Sequence, residues 1–138
     1  MLGPGAEVGK GVRFELGPQG RVTLGAGAWL GSGTRVQADG PVSIGARTLI
    51  GARSIFIAGA GVSVGDDSVI GDEALLRDAV RVGNRVRIGP RACLLPGAEV
   101  GEGSVVGARS VVEGAVAPGS TVIGVPARRQ TTAPSRSR

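Results

Sequence analysis

Few residues of this 138-residue chain could act as a catalytic acid, base or nucleophile. Histidine and tyrosine are absent, which excludes a Ser-His-Asp or Cys-His arrangement, a His-ligated zinc and a histidine general base. Cys93 is the single cysteine, so an internal disulfide and a cysteine-based metal site are excluded as well. We expect its thiol to act as a small hydrophobic group rather than as a nucleophile. Carboxylates and arginines are left to carry any chemistry.

Basic residues are concentrated near the C-terminus. Four of the 16 Lys and Arg residues lie in residues 127–138, which contain no acid, and the remaining twelve nearly balance the 11 acidic residues. The body of the chain is therefore close to neutral, which argues against a nucleic-acid groove. Because the basic end also lacks aromatic residues for base stacking, we predict a folded domain over 1–126 and a disordered, flexible tail over 127–138.

The sequence shows no export signal and no membrane span. Its first residues, 1–5, lack the basic and apolar regions of a signal peptide. No apolar run approaches the roughly 20 residues that a membrane span needs. We therefore expect a cytoplasmic protein without a membrane partner.

A six-residue repeat predicts the fold class. Its unit is aliphatic–Gly–x–x–small–x, and from Val64 to Val112 an aliphatic residue recurs at every sixth position. Before Val64, two residues are added after every third hexad, so that Leu24, Ile44 and Val64 stand twenty apart. A helix would scatter these positions around its surface, whereas three short strands per turn point them all inward.

The repeat therefore predicts an all-β protein, a triangular parallel β-helix. We count six coils, which are 2–23, 24–43, 44–63, 64–81, 82–99 and 100–117. Tight corners with positive φ would explain why 26 residues are glycine. The competing β-sandwich predicts strict alternation and irregular strand spacing, and the sequence shows neither.

Stacked coils place corresponding residues above one another in columns. Two corner columns alternate in charge and predict surface ion-pair ladders, Arg47–Asp67–Arg85 and Arg53–Glu73–Arg91–Arg109. Two columns that should point outward are largely apolar: Trp29–Leu49–Val69–Arg87–Val105 and Ile55–Leu75–Cys93–Val111. Two apolar stripes on one rod suggest a partner surface, and packing of three copies around a threefold axis would bury both.

The later coils and the segment that follows them carry a more specific pattern. It consists of Val82-Gly83, Ile88-Gly89, Pro96-Gly97, Val100-Gly101, Val106-Gly107-Ala108, Ser110-Val111-Val112, Pro118-Gly119 and Gly124-Val125-Pro126-Ala127-Arg128. In these residues the chain resembles the hexapeptide-repeat acyltransferases, especially the maltose and galactoside O-acetyltransferase-like branch. The hexads cover about residues 2–117, and the specific part runs from Val82 to Arg128. The resemblance implies left-handed coils, a homotrimer, and acetyl-CoA or another acyl-CoA bound between subunits against the late coils.

Carried over by position, the resemblance implies cofactor contacts at Ala92, Gly107, Ala108, Ser110 and Arg128. An arginine near the end could meet the nucleotide phosphates, and Arg91 and Arg109 could serve in the same way. Ala92 and Ser110 are explained equally well as the small inward residues of their hexads.

The chain departs from the family at the catalytic base. There a histidine, on a loop before the coil equivalent to 82–99, deprotonates the acceptor hydroxyl, whereas here residues 76–81 run directly into Val82. Asp78 is the nearest candidate base, although a turn residue explains it as well. A hydroxyl acceptor without a base would lose typically about 10² to 10⁴ in rate, and a neutral amine acceptor needs less help.

Two functions remain open at this stage. The first is an acyl-CoA-dependent acyltransferase that acts on an amine or hydroxyl of a sugar-like small molecule. The alternative is a non-catalytic β-helical scaffold that kept the fold and lost the chemistry. A γ-class carbonic anhydrase-like enzyme is excluded because three histidines hold its zinc, and we expect no metal site.

Overall fold

The computed structural model describes residues 2–130, and every regular element in that range is a β-strand. In chain order the first ten strands are β1 Glu7–Val8, β2 Arg13–Leu16, β3 Arg21–Leu24, β4 Trp29–Leu30, β5 Arg35–Ala38, β6 Pro41–Ile44, β7 Leu49–Ile50, β8 Ile55–Ala58, β9 Val62–Val64 and β10 Val69–Ile70. The next ten are β11 Leu75–Leu76, β12 Val80–Val82, β13 Arg87–Ile88, β14 Cys93–Leu94, β15 Glu99–Val100, β16 Val105–Val106, β17 Val111–Val112, β18 Ala115–Val116, β19 Thr121–Ile123 and β20 Arg128–Arg129. Between residues 2 and 130 no helix is long and apolar enough to span a membrane.

The strands form three sheets, and successive strands of the chain enter successive sheets. Face 1 is the sheet β1-β4-β7-β10-β13-β16-β19-β20, face 2 is β17-β14-β11-β8-β5-β2, and face 3 is β18-β15-β12-β9-β6-β3. All neighbours pair in parallel except β19 and β20. Three strands therefore make one coil, which confirms the predicted parallel β-helix of about six coils.

The register between coils is the one that the hexads predict. On face 3, Leu24 pairs with Ile44, which pairs with Val64, and each of these side chains is at most 3% exposed. The inward residues of all three faces belong to one continuous core, in which Phe56 is the largest fully buried side chain. Removal of these aliphatic groups from water is the main term that stabilises the coils.

Threonine and serine at the small position of the hexad form hydrogen bonds inside the corners of the β-helix. Thr48 Oγ1 donates to Gly65 O over 2.6 Å, and Ser104 Oγ donates to Ala117 O over 2.8 Å. Each bond joins one coil to the next and satisfies a buried hydroxyl. The small position of the hexad therefore also connects neighbouring coils.

Glycine at the second hexad position is required by the distance between coils. A methyl group placed on Gly71 would lie 2.5 Å from the backbone nitrogen of Pro90 in the next coil. The left-handed backbone occurs two residues later, where Glu73 has a φ of 58°. The expectation that positive φ explains the glycine content holds at positions such as Gly103, with a φ of 74°, but was wrong for the repeat glycine at position 71.

The C-terminal end of the β-helix is closed by the chain itself. β20 pairs antiparallel with β19, and the N–H of Gln130 donates to Thr121 O over 2.7 Å. Ordered structure thus continues through 127–130, beyond the predicted domain boundary at residue 126, because β19 would otherwise leave its edge unpaired. The rest of the predicted tail, 131–138, lies outside the described residues.

The N-terminal end is open. β1, β2 and β3 are the terminal strands of their sheets. Apolar side chains there remain 36% to 56% exposed: Leu2, Val8, Phe14 and Leu16. They surround a concavity of about 530 Å³. The core is therefore covered at one end of the β-helix and exposed at the other.

Candidate functional site

Most of the predicted cofactor residues lie along one corner of the late coils, between faces 1 and 2. This corner holds Arg91, Ala92, Gly107, Ala108, Arg109 and Ser110. Two coils are stacked here, because the N–H of Arg109 donates to Pro90 O over 2.9 Å. The structure therefore brings residues 18 positions apart in the sequence next to each other.

The closing strands bring Arg128 near this corner. A methyl group on Gly107 would lie 2.8 Å from Ile123 Cγ1, so Ile123 covers this glycine. Ile123 is in turn the pairing partner of Arg128 in the antiparallel β19–β20 pair. Sequence reasoning did not identify Ile123, because an isolated aliphatic residue after the last hexad carries no chemical signal.

Ala92 and Ser110 do not present their side chains to this surface. Each is 1% exposed, and Ser110 Oγ accepts a hydrogen bond from the N–H of Gly124 over 3.0 Å. Their N–H groups already donate to Gly89 O and Gly107 O, over 3.4 and 3.3 Å. Their role as small inward hexad residues explains both positions. Among the predicted residues of the corner, the exposed ones are Arg91, Ala108 and Arg109.

Arg91 is neutralised by an acidic neighbour. Glu73 accepts from Arg91 Nε over 2.8 Å and from Arg53 Nε over 3.2 Å, which confirms this part of the predicted ladder. The hydrogen bond from Arg91, followed by that from Arg53, holds the pKa of Glu73 below its usual value. Arg109 and Arg128, by contrast, make no ion pair with another residue of the range 2–130. Of the arginines predicted to contact the cofactor, Arg109 and Arg128 are therefore the two that an anionic ligand can reach without displacing a carboxylate.

The other predicted ladder forms only in part. Arg47 makes two hydrogen bonds to Asp67, of 2.7 and 3.1 Å, and lowers the pKa of that carboxyl. Arg85 pairs instead with Glu102 of the following coil. The expectation that Asp67 would lie between two paired arginines was wrong, because a carboxylate one coil further on competes for Arg85.

Asp78 lies at a different corner, between faces 2 and 3. Its Oδ1 accepts the N–H of Ala60 in the preceding coil. The same bond recurs at other corners over 2.8 to 2.9 Å, where the N–H groups of Ala46, Ala52 and Asp66 donate to the side-chain oxygens of Asp66, Asp72 and Asn84, respectively. This repetition supports the explanation of Asp78 as a turn residue. Within one chain, strands β11, β14 and β17 of face 2 separate the corner of Asp78 from the corner of the cofactor candidates.

A groove beside Asp78 was not identified from the sequence. It has a volume of about 410 Å³ on face 3, and its lining includes Ser43, Ser63, Arg81 and Ala60, the residue bonded to Asp78. The first three are in register on β6, β9 and β12 and form a polar outward column. The sequence could have indicated this groove, because the outward column of face 3 is polar whereas those of the other two faces are apolar.

Both predicted apolar columns are present and in register. On face 1, Trp29, Leu49, Val69 and Val105 are 37% to 45% exposed. On face 2, Ile55 is exposed, and Leu75, Cys93 and Val111 are half-buried.

Face 2 also contains two groups whose surroundings are unusual for a surface. Burial raises the pKa of the Cys93 thiol, an effect that the charge of Arg77 partly opposes. The Nε atom of Arg77 is buried without a hydrogen-bond partner among the described residues. Buried donors in folded proteins normally have a hydrogen-bond partner.

Between residues 2 and 130, no group of three or more Cys, Asp or Glu residues is arranged to hold a metal ion.

Comparison with known families matches two segments of the chain. Residues 41–72 match the model of the hexapeptide repeat of succinyl-transferase, and residues 79–114 match that of the bacterial transferase hexapeptide with six repeats. No curated protein sequence matches the chain significantly.

Solved structures share the fold at low sequence identity. A point mutant of AntD, an N-acyltransferase from Bacillus cereus in complex with dTDP and coenzyme A, has a TM-score of 0.85 at 19% identity, covering 94% of this chain and 81% of its own. A hexapeptide-repeat acetyltransferase from Vibrio cholerae O1 biovar eltor, complexed with acetyl-CoA, has a TM-score of 0.74 at 24% identity, covering 78% and 69%. A hexapeptide transferase family protein from Anaplasma phagocytophilum has a TM-score of 0.77 at 22% identity, covering 87% and 82%. The hexads, the two matched segments and this fold show that the chain contains hexapeptide repeats of the kind found in bacterial transferases.

Proposed function

We propose that the protein is an acyl-CoA-dependent acyltransferase acting on a small molecule. The observation that carries this proposal is the corner with Ala108 and Arg109 beside the closing strand of Arg128. Coenzyme A carries several phosphates, and arginine binds phosphate through charge-assisted, often bidentate hydrogen bonds. The small side chain of Ala108 leaves room for the pantetheine arm to approach the backbone. Transferases of the same fold have been solved with coenzyme A or acetyl-CoA bound, which supports this assignment.

We propose that the site is completed by a second subunit of a homotrimer. The apolar columns of faces 1 and 2 border the cofactor corner from both sides, and their burial between copies would remove them from water. Arg77 Nε would then find its acceptor on a neighbouring copy. In the same assembly, the face 3 groove and Asp78 of one copy can lie near the cofactor corner of another.

The acceptor that fits best is an amine on a sugar-like molecule. A neutral amine nitrogen attacks the thioester carbonyl carbon, the C–N bond forms, and the C–S bond breaks to release CoA. The nitrogen loses its proton to water or buffer, and the thiolate can take one up. Because the chain contains no histidine and Asp78 already accepts from Ala60, an acceptor that needs no enzyme base suits this site. Another mutant of the N-acyltransferase AntD, in complex with dTDP-4-amino-4,6-dideoxyglucose and coenzyme A, has the same fold, which supports an amino-sugar acceptor.

The experiment is CoA-thiol release with acetyl-CoA and matched amino and hydroxyl sugars across a pH series. We expect turnover on the amine whose rate follows the fraction of neutral amine, without a limb near the ordinary histidine pKa of about 6.5. Asp78→Asn should leave this rate nearly unchanged, because an amide oxygen can accept from Ala60 as Asn84 does from Asp66. A loss of about 10² or more in Asp78→Asn, with the fold intact, would instead make Asp78 the base.

A non-catalytic scaffold is the second candidate. The bond between Asp78 and Ala60 favours it, because the one candidate base is engaged in holding two coils together. A scaffold would assemble normally, bind neither CoA nor acetyl-CoA, and release no thiol with any acceptor. For either function we propose a cytoplasmic setting.

A further inference from the structure

We propose that the open N-terminal end is an interface at which β2 pairs antiparallel with β2 of a second copy of this chain. β2 is the terminal strand of face 2, so one side of its backbone has no strand partner in the sheet. Phe14 and Leu16 on this strand are 42% and 46% exposed, although they occupy inward positions that are buried in every later coil of their columns. Edge strands that expose apolar side chains are templates for pairing with another chain.

The sequence of β2 is complementary to itself. A twofold axis through Phe14 places Phe14 opposite Phe14 of the second copy, and Val12 opposite Leu16. It also places Arg13 opposite Glu15 in both halves of the pair. Inward residues therefore meet inward residues, and each outward pair joins opposite charges. The same strand thus supplies both sides of an isologous contact.

The C-terminal end of the β-helix explains why this contact should give a dimer and not a head-to-tail filament. Head-to-tail stacking would require a free edge on face 1 at the C-terminal end, but β20 already occupies the edge of β19. Ala127 adds a second obstruction, since its N–H donates to Val111 O on face 2 over 2.7 Å. At the N-terminal end, β1 and β2 are the terminal strands of faces 1 and 2, whereas Leu2 already bridges to Leu24 of β3 on face 3. Pairing of like ends through β2 is therefore favoured over a filament.

Mass measurement by light scattering at micromolar concentration tests this interface. We expect the wild-type particle to have twice the mass of Phe14→Asp, whether each half is a monomer or a trimer. Arg13→Glu should also halve the mass by placing two acids opposite each other. The double exchange Arg13→Glu with Glu15→Arg should restore the larger particle. Equal masses for the wild type and Phe14→Asp would overturn the proposal.

Covalent trapping tests the register without relying on a destabilising change. In a Cys93→Ser background, Phe14→Cys places one thiol of each copy beside the twofold axis, where opposed antiparallel residues lie within reach of a disulfide. We expect mild oxidation to give a covalent dimer of Phe14→Cys and none of Gln19→Cys, an exposed corner control. No dimer of Phe14→Cys, or equal yields from both, would contradict the pairing. Neither experiment depends on CoA binding, so this inference and the proposed function fail separately.

Discussion

The early and late coils of this protein share one hexad but end the β-helix differently. The strands β2, β3, β5, β6 and β8 each have four residues, whereas strands from β9 onward have two or three. The early coils end in an exposed apolar core. The late coils end in a pair of antiparallel strands beside Arg109 and Arg128, which make no ion pair within residues 2–130. The repeat thus determines the triangular β-helix. The features that differ between coils lie at its two ends, where the repeat stops. This is where we expect binding and assembly.

Truncation of the same column in its middle and at its open end should give the largest contrast. Phe56 is fully buried, and Phe56→Ala should cost about 3–5 kcal/mol, as buried Phe truncations do. Phe14, two coils away in the same column, is 42% exposed, and Phe14→Ala should cost clearly less. Urea denaturation of both variants at low concentration, where end-to-end pairing is absent, measures the difference. Equal losses would mean that the first coil is as well packed as the third.

Two glycine substitutions compare a crowded corner with an open one. Gly71→Ala forces a methyl group against the backbone nitrogen of Pro90 and should cost about 1–3 kcal/mol by overpacking. Gly103→Ala meets no atom within 4 Å and has only its φ of 74° to strain. Gly103→Ala should therefore reduce stability less than Gly71→Ala does. Arg109, with a φ of 60°, shows that a residue with a side chain can adopt this backbone conformation in the β-helix. Melting temperatures of both variants provide the test, and a larger loss at Gly103 would reverse our explanation of the repeat glycine.

The ion pairs of Glu73 should have a smaller, pH-dependent effect. Its folded-state pKa lies below the value of the unfolded chain, so its stabilising contribution is present above that value and is lost as pH falls through the folded-state pKa. Between about pH 5 and pH 3 the melting temperature of the wild type should fall more than that of Glu73→Gln. Because the pair is exposed, the difference should also shrink in high salt. Parallel pH dependence of the two proteins would show that the ladder contributes nothing.

The hexads made the sheets, the register and the columns predictable. Leu24, Ile44 and Val64 are paired and buried as expected, because a strict period leaves few alternatives for inward side chains. Three features depended on atoms that a period does not describe: the pairing of Arg85 with Glu102, the bond from Ala60 to Asp78, and the strand formed by Arg128 and Arg129. Each arises from side chains or edges that compete in three dimensions.

The site was predictable only as a set of candidates. Position along the repeat brought Arg91 and Arg109 to one corner, but it could not show that Glu73 neutralises the first of them. It also did not distinguish the inward side chain of Ser110 from a ligand contact, since a small residue serves both purposes. The polar column of face 3 could be recognised in the sequence, but the groove that it lines could be identified only from the structure.

Calorimetric titration with CoA tests the central claim most directly. Arg128 holds its strand through backbone pairing, so Arg128→Ala removes the guanidinium and leaves β20 in place. We expect the wild type to bind CoA and Arg128→Ala to bind at least about tenfold more weakly, since a hydrogen bond to a charged group contributes about 1.5–3 kcal/mol. Arg21→Ala, on an exposed arginine of the first coil, should bind as the wild type does. Absence of CoA binding, or equal weakening by both substitutions, would contradict an acyl-CoA site in the late coils.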